Sequence, residues 1–197
     1  MTVKEESREL TLRQREGRAI NAVAELLRRK LSVPNIYLEP PSSLIPADVL
    51  AVDRGGAGDL HAVEIKLESD LTLSEGRLRK PSNPKEINAL NEAWATKFSE
   101  KIQGIHRQLM SMPAHYRYLA IPEESYDWVL GALGHFGLFP EDGIGRLGII
   151  KIREKGEESP TAEMTVLPER FRVDPGKLKT IETKLLAKSR PDIEVRI

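Results

Sequence analysis

Three charged residues within two apolar segments are the part of this sequence that could do chemistry. Asp48 lies in the run Ala-Asp-Val-Leu-Ala-Val-Asp over 47–53, and Glu64 and Lys66 lie in Leu-His-Ala-Val-Glu-Ile-Lys-Leu over 60–67. A charged side chain on a buried strand is costly unless it is paired or bound to a metal ion. Glu64 and Lys66 are two residues apart, so on a strand they face the same side. The pattern therefore predicts a charged site on two neighbouring strands.

Two carboxylates that converge from adjacent strands could hold a hard cation. Mg²⁺ prefers oxygen ligands and needs only one or two carboxylates besides water. Such a cation neutralises the charge that develops during phosphodiester hydrolysis and generates hydroxide near neutral pH. We therefore predict Asp48 and Glu64 as Mg²⁺ ligands, with the backbone carbonyl of Ile65 as a further candidate, and we expect Mn²⁺ to substitute.

Lys66 would lie beside this cation, where an ammonium can orient an attacking water or stabilise charge on the phosphorane. The neighbouring carboxylates favour its charged form, whereas burial would oppose it. The competing interpretation is a same-face ion pair of Glu64 and Lys66 on an edge strand, with Asp48 as a solvated neighbour. The four histidines have no metal-ligand spacing, and His61 is the one nearest in sequence to the predicted site.

The spacing of apolar residues predicts the elements that must position these side chains. Glycines at 55, 56 and 58 predict a tight connection, so the runs 47–53 and 60–67 should pair as a hairpin. The second of these runs does not alternate cleanly, which indicates a strand buried on both faces. In chain order we predict a helix over 11–31, strands over 35–39, 47–53 and 60–67, a polar loop over 68–84, a helix over 85–112, a strand over 115–121, a helix over 123–136, strands over 145–153 and 162–167, and a helical run over 178–188.

This order of elements predicts an α/β fold with a mixed central β-sheet flanked by helices. We place one α/β domain over 11–167 and a C-terminal extension with a short helix over 168–197. The length of 197 residues suits one domain with a sizeable core and a small appendage.

Asp48 with Glu64-Ile65-Lys66 on a strand hairpin, after a helix and before a helix–strand unit, resembles the PD-(D/E)xK nuclease superfamily over roughly 11–153. One departure is that Ala47 separates Pro46 from Asp48. The resemblance implies the restriction-endonuclease-like fold with an αβββαβ core. It also implies a metal-dependent deoxyribonuclease, a hydrolase of phosphodiester bonds that acts as an endonuclease or exonuclease, in which the aspartate and glutamate bind Mg²⁺ and the lysine acts on the nucleophilic water.

The same resemblance implies two further site residues. Many members add a glutamate from the first helix, and Glu16 is our candidate because it lies one turn before Ile20 on the apolar stripe, with Glu25 second. Some members carry a glutamine on the helix after the lysine, and Gln108 is the better placed match. We therefore include Glu16 and Gln108 among the predicted catalytic residues.

The charge pattern indicates where a polyanion could bind, although the formal net charge is zero. Segment 33–76 has eight acids and two bases, whereas segment 77–117 has eight bases and three acids. A long polar loop is usually functional or mobile. We predict DNA as the partner and expect that a homodimer would be favoured if both strands are cut. The predicted nucleic-acid-binding residues are Arg77, Arg79, Lys80 and Lys85.

Composition excludes several other classes. The sequence contains no Cys, which excludes disulfide scaffolds, Cys-ligated zinc, iron–sulfur ligation and a Cys nucleophile. The first ten residues are charged, and no run of about 18 apolar residues is present, so we expect a cytoplasmic protein with no membrane partner.

Two alternatives to an active nuclease remain open. One is a catalytically inactive nucleic-acid-binding or assembly protein on the same fold, although such a protein would have no chemical need for all of Asp48, Glu64 and Lys66. The other is a small-molecule or protein-binding α/β domain, which the zero net charge favours slightly.

Overall fold

A six-stranded sheet with helices on both faces forms the body of the protein. The computed structural model describes residues 11–31, 35–53, 58–73, 92–135, 147–154 and 158–188. The elements are α1 (Leu12–Leu31), β1 (Asn35–Leu38), β2 (Val49–Val52), β3 (Leu60–Ile65), α2 (Glu68–Leu71), α3 (Glu92–Ser111), β4 (Tyr116–Pro122), α4 (Tyr126–His135), β5 (Gly148–Arg153), β6 (Thr161–Val166) and α5 (Pro175–Lys188). The predicted α/β class, with a mixed sheet flanked by helices, is confirmed.

The strands lie in the sheet in chain order, β1-β2-β3-β4-β5-β6. The pairs β1–β2 and β2–β3 are antiparallel, the pairs β3–β4 and β4–β5 are parallel, and the pair β5–β6 is antiparallel. Short connections suffice for the antiparallel pairs, but a parallel pair needs a crossover. The chain between β3 and β4 contains α3, and the chain between β4 and β5 contains α4.

Two apolar cores lie on opposite faces of the sheet. On one face, α1 packs against the side chains that alternate through Val49, Ala51, Val63 and Ile65. On the other face, α3, α4 and α5 cover a core that includes Leu50, Ala62, Leu119 and Ile121. Every residue of β3 is buried, which confirms the predicted strand buried on both faces.

The segment predicted as a polar loop begins instead with the short helix α2. The carboxylate of Asp70 accepts a hydrogen bond from the backbone N–H of Leu67 at 2.9 Å, and the backbone N–H of Asp70 donates to the Leu67 carbonyl at 3.0 Å. An acidic side chain that accepts backbone N–H groups stabilises the first turn of a helix. The polar residues over 68–70 therefore form a helical turn at the end of β3, where composition alone indicated a loop.

The segment after β6 packs on the same sheet. The backbone N–H of Phe171 donates to the carbonyl of His115 at 2.7 Å, and Arg170 forms an ion pair with Asp59 at 2.8 Å. Ile181 and Leu185 of α5 are buried in the core on the same face of the sheet as α3. No helix among the described residues is long and apolar enough to cross a membrane.

Candidate active site at the ends of β2 and β3

The hairpin brings Asp48 close to Glu64. Val49 pairs with Val63 in the antiparallel register, and the backbone N–H of Asp48 also donates to the Val63 carbonyl at 2.9 Å. This hydrogen bond holds Asp48 beside the residue that precedes Glu64. The charge of Glu64 adds to the raised pKa of Asp48, so the two carboxylates predicted from the sequence lie close together at the ends of both strands.

Asp48 is a partly buried carboxylate whose orientation is determined by the backbone of the facing strand. Its Oδ2 accepts a hydrogen bond from the N–H of Ile65 at 2.6 Å. Burial raises the pKa of Asp48 to about 6; the hydrogen bond from Ile65 opposes this shift, and the charge of Glu64 adds to it. Asp48 therefore carries a negative charge at neutral pH in surroundings that disfavour it.

Glu64 is the most deeply buried carboxylate of the site, with 7% of its side chain exposed. Its Oε1 accepts hydrogen bonds from Lys66 Nζ at 2.6 Å and from Gln108 Nε2 at 3.1 Å. The strand β3 that bears Glu64 lies between β2 and β4, so it is an interior strand. The interpretation of a pair on an edge strand with a solvated Asp48 is therefore wrong in both respects, although the ion pair itself is present.

Lys66 follows the last residue of β3 and continues the pairing to β4, because its backbone N–H donates to the Ala120 carbonyl at 2.9 Å. Burial, the largest single influence, lowers the pKa of Lys66. The hydrogen bond to Glu64 and the charges of Glu64, Asp48 and Asp70 outweigh burial, so the pKa is raised overall. The competition expected from the sequence is present, and the carboxylates prevail.

The two glutamates proposed from α1 lie in different places. Glu16 is exposed and does not lie on the buried stripe, since the buried residues of α1 begin at Ala19. Its negative charge nevertheless contributes to the raised pKa of Asp48, so it lies near the site. Glu25 is exposed and forms ion pairs with Arg28 at 3.1 Å and Arg29 at 3.5 Å. Of the two, Glu16 is the one that the fold brings towards Asp48.

Asp48, Glu64 and the backbone of Ile65 are the groups that could hold a metal ion. Among the described residues, no group of three or more His, Asp or Glu side chains is arranged to hold one. Mg²⁺ needs few protein ligands, because it retains several waters and is commonly bound through one or two carboxylates. The donors fit this requirement, since two neighbouring carboxylates supply oxygen ligands, and the charge of Glu64 adds to the rise in the pKa of Asp48 that burial mainly causes. Glu64 would then share its oxygens with Lys66 and Gln108.

Two charged residues near the site were missed in the sequence. Asp70, which caps α2, contributes to the raised pKa of Lys66. Lys151 of β5 pairs in register with Ile121, which in turn faces Lys66 across the β3–β4 pair. With strands about 4.8 Å apart, Lys66 and Lys151 lie in one row two strands apart, or roughly 10 Å. Lys151 lies within Ile-Ile-Lys-Ile, so a charge in an apolar strand, the signal used for Lys66, could have revealed it.

His61 lies on the opposite face of β3 from Glu64. Its Nδ1 is 3.0 Å from the hydroxyl of Tyr118, and its ring stacks on Tyr116 with centroids 4.6 Å apart. Burial lowers the pKa of His61 to about 4, against the opposing charges of Asp59 and Asp53. A neutral imidazole packed between tyrosines is a structural residue of the core beneath α1.

The predicted nucleic-acid-binding residues Arg77, Arg79, Lys80 and Lys85 lie outside the described residues. Their role therefore stays a prediction.

No protein-family model matches this chain, and no curated protein matches it. A solved structure of a protein of unknown function from Silicibacter pomeroyi is similar at a TM-score of 0.42 and 15% sequence identity. The similarity covers 91% of this chain and 86% of that one. A likeness of this degree carries no argument about the fold or activity of this chain.

Replacing Asp48 by Asn should stabilise the metal-free protein at alkaline pH and have little effect near pH 4. Because the pKa of Asp48 is raised from 3.8 to about 6 in the folded state, the folded protein binds this proton more tightly than the unfolded chain. Stability is therefore lost as the pH rises from about 4 to 6, and the loss is complete above that window. Such a shift corresponds to roughly 3 kcal/mol for a fully buried group, which solvent screening reduces to about 1–2 kcal/mol here.

Thermal unfolding in a chelator at pH 4 and pH 8 measures this effect, and we expect Asp48→Asn to raise Tm by about 3–6 °C at pH 8. Asp53→Asn removes a carboxylate beyond the other end of β2 and is the matched control. An Asp48→Asn protein no more stable than wild type at pH 8 would contradict the assignment of Asp48 as a destabilising charge.

Proposed function

We propose that this protein is a metal-dependent deoxyribonuclease that hydrolyses phosphodiester bonds in DNA. The observation that carries the proposal is the convergence of Asp48, Glu64 and Lys66 at the ends of two interior strands. An ion pair accounts for Glu64 and Lys66, but it gives no reason for a second carboxylate close to the first. The like charge of Glu64 adds to the raised pKa of Asp48, so the arrangement is better explained by a site that binds a cation.

The order of elements supports the same proposal. The chain runs through α1, three antiparallel strands, α3 and the parallel strand β4. This order matches the αβββαβ core that the resemblance to the PD-(D/E)xK nuclease superfamily implies. We therefore assign the fold to the restriction-endonuclease-like type as part of the proposal.

In this proposal Asp48, Glu64 and the Ile65 carbonyl hold Mg²⁺ or Mn²⁺. When bound, the ion neutralises charge on the phosphate and lowers the pKa of a water molecule. The N–H of Ile65 orients the Asp48 carboxylate. Gln108 donates to Glu64 and so orients that carboxylate from α3.

Lys66 supplies the cationic group of the site. An ammonium has three N–H donors, and the contact with Glu64 Oε1 uses one of them. The other two suit an attacking water or an oxygen of the phosphate. A fixed donor aimed at charge that develops in the transition state lowers the barrier without reorganisation. Lys66 is therefore the residue proposed to serve the chemical step, with Glu16 near Asp48 as a further acidic residue.

A cleavage assay tests the proposal directly. Single-stranded, duplex and branched DNA, together with RNA of matched sequence, are incubated with Mg²⁺, Mn²⁺ or chelator. We expect DNA cleavage only with metal, and Glu25→Gln, an exposed acid paired on α1, should retain it. Binding of DNA without cleavage in any metal would instead support the catalytically inactive alternative. An absence of both binding and cleavage would favour a small-molecule or protein-binding domain.

The basic segment after α2 gives a separate prediction on binding. Each phosphate contact that is lost lowers the slope of log affinity against log salt by about 0.7–0.9. Replacing Arg79 and Lys80 together by Ala should therefore flatten this slope by roughly one to two units and weaken binding to all sequences about equally. Binding isotherms at several salt concentrations measure the slope. Equal slopes for wild type and the double variant would place the phosphate contacts elsewhere, with Arg15, Arg18 and Arg28 of α1 as the next candidates.

A further inference from the structure

A groove of about 570 Å³ runs beside the first turns of α1 and the end of β1. Leu12, with 57% of its surface exposed, and Leu38, with 44%, line this groove together with Ile20. Among the described residues, only Leu167 joins them as an exposed large apolar side chain. Clustered exposed apolar side chains mark a binding surface more often than scattered ones do. Leu12 and Leu38 are not part of the buried core, so the stability of the fold does not explain why apolar residues line the groove.

The groove adjoins the candidate active site. Glu39 lines it, and the backbone N–H of Glu39 donates to the Asp48 carbonyl at 2.8 Å. Glu16 also lines it, and the charge of Glu16 contributes to the raised pKa of Asp48. Leu38 pairs in register with Val49, the residue after Asp48. The groove lies on the α1 face of the sheet, whereas Glu64 faces α3, so a ligand in the groove would approach a substrate at the two carboxylates by way of Asp48, just before β2.

Gly17 leaves one wall of the groove open. It lies within α1, where glycine is less favourable than alanine for the helix. A Cβ atom at this position would meet no atom within 4 Å. No close contact with a described residue therefore explains a glycine here, whereas a side chain would extend towards the groove that Gly17 lines.

We propose that this groove receives an unpaired nucleobase next to the scissile phosphate, so that DNA with an unpaired nucleotide at the cut is the favoured substrate. The inference rests on the proposed nuclease function. A base has flat apolar faces that suit Leu12 and Leu38, as in pockets that hold flipped bases between apolar side chains. The carboxylates of Glu16 and Glu39 outnumber the one guanidinium of the lining, that of Arg13, and so disfavour a phosphate in the groove. They can accept N–H groups from the edge of a base. Asn21 adds an amide for the same edge.

The test measures binding of two DNA duplexes that are identical except for one unpaired nucleotide. Both are bound by protein in a Lys66→Met background, so that the DNA is not cut, and affinity is measured by fluorescence anisotropy with Mg²⁺. Gly17→Leu fills the groove from a position with open space around it. We expect it to weaken binding of the duplex with the unpaired nucleotide about tenfold more than binding of the paired duplex, as for the loss of one well-held base.

Gly104→Leu is the matched control, because Gly104 lies in the equally long helix α3 and its Cβ would also meet no atom within 4 Å. It should leave both affinities unchanged. Equal effects of Gly17→Leu on both duplexes, or no effect, would overturn the groove assignment while leaving the proposed nuclease intact. A Gly17→Leu protein that changes from dimer to monomer in sedimentation would also overturn it, because the groove would then be an interface between copies. A Lys66→Met protein with Gly17 unchanged that binds neither duplex would instead contradict the proposed function.

Discussion

Glu64→Gln should abolish both divalent-cation binding and DNA cleavage. Glu64 is the more deeply buried of the two neighbouring carboxylates, so a neutral amide at this position would remove half of the charge available to the cation. We expect the affinity for Mn²⁺ to fall by more than about a hundredfold, beyond the range for loss of an outer-shell partner. Gln still offers an oxygen to Lys66, which keeps the local hydrogen bonding close to that of wild type. Calorimetric titration with Mn²⁺ measures the binding.

Asp48→Asn is the companion variant, and it should also lose Mn²⁺ binding while the fold is stabilised rather than weakened. This difference separates loss of a ligand from loss of structure. Glu100→Gln, an exposed acid on α3, controls for the removal of a carboxylate and should bind as wild type. Unchanged Mn²⁺ affinity in both Glu64→Gln and Asp48→Asn would refute the metal site.

Lys66→Met should lose cleavage while Mn²⁺ binding survives. The ammonium is placed beside the two carboxylates, but it is not itself a metal ligand. Loss of an interaction made only in the transition state lowers kcat, and we expect a decrease of about a hundredfold or more with little change in KM. Single-turnover cleavage and calorimetry on the same preparation separate the two effects. Removal of a positive charge should, if anything, leave the affinity for the cation unchanged or higher.

Lys97→Met is the control for this variant, because Lys97 is an exposed lysine on α3 whose partner is Glu100 at 3.6 Å. It should cut at the wild-type rate. Circular dichroism and thermal unfolding must show that Lys66→Met is folded, since the substitution removes the ammonium group that pairs with the buried Glu64 carboxylate. A folded Lys66→Met protein that cuts normally would show that the lysine is a structural partner of Glu64 and takes no part in the reaction.

The sequence by itself determined most of the elements and the centre of the candidate site. Two apolar runs joined by a glycine-rich connection predict a local hairpin, and a hairpin brings Asp48 close to Glu64 without reference to the rest of the chain. Lys66 follows from the same local rule, because residues two apart on a strand share a face. These contacts are short in sequence and were therefore open to prediction.

Contacts between distant segments were decided by the tertiary structure. Gln108 reaches Glu64 only because α3 packs on the face of the sheet that bears Glu64, a choice that the periodicity of α3 leaves open. Periodicity placed Glu16 on a buried stripe, but the buried residues of α1 begin only at Ala19, so Glu16 is exposed and borders a groove. That β3 is an interior strand depends on its parallel pairing with β4, which follows a long crossover. Local patterns determine which face of an element is apolar, whereas packing determines which neighbour meets that face.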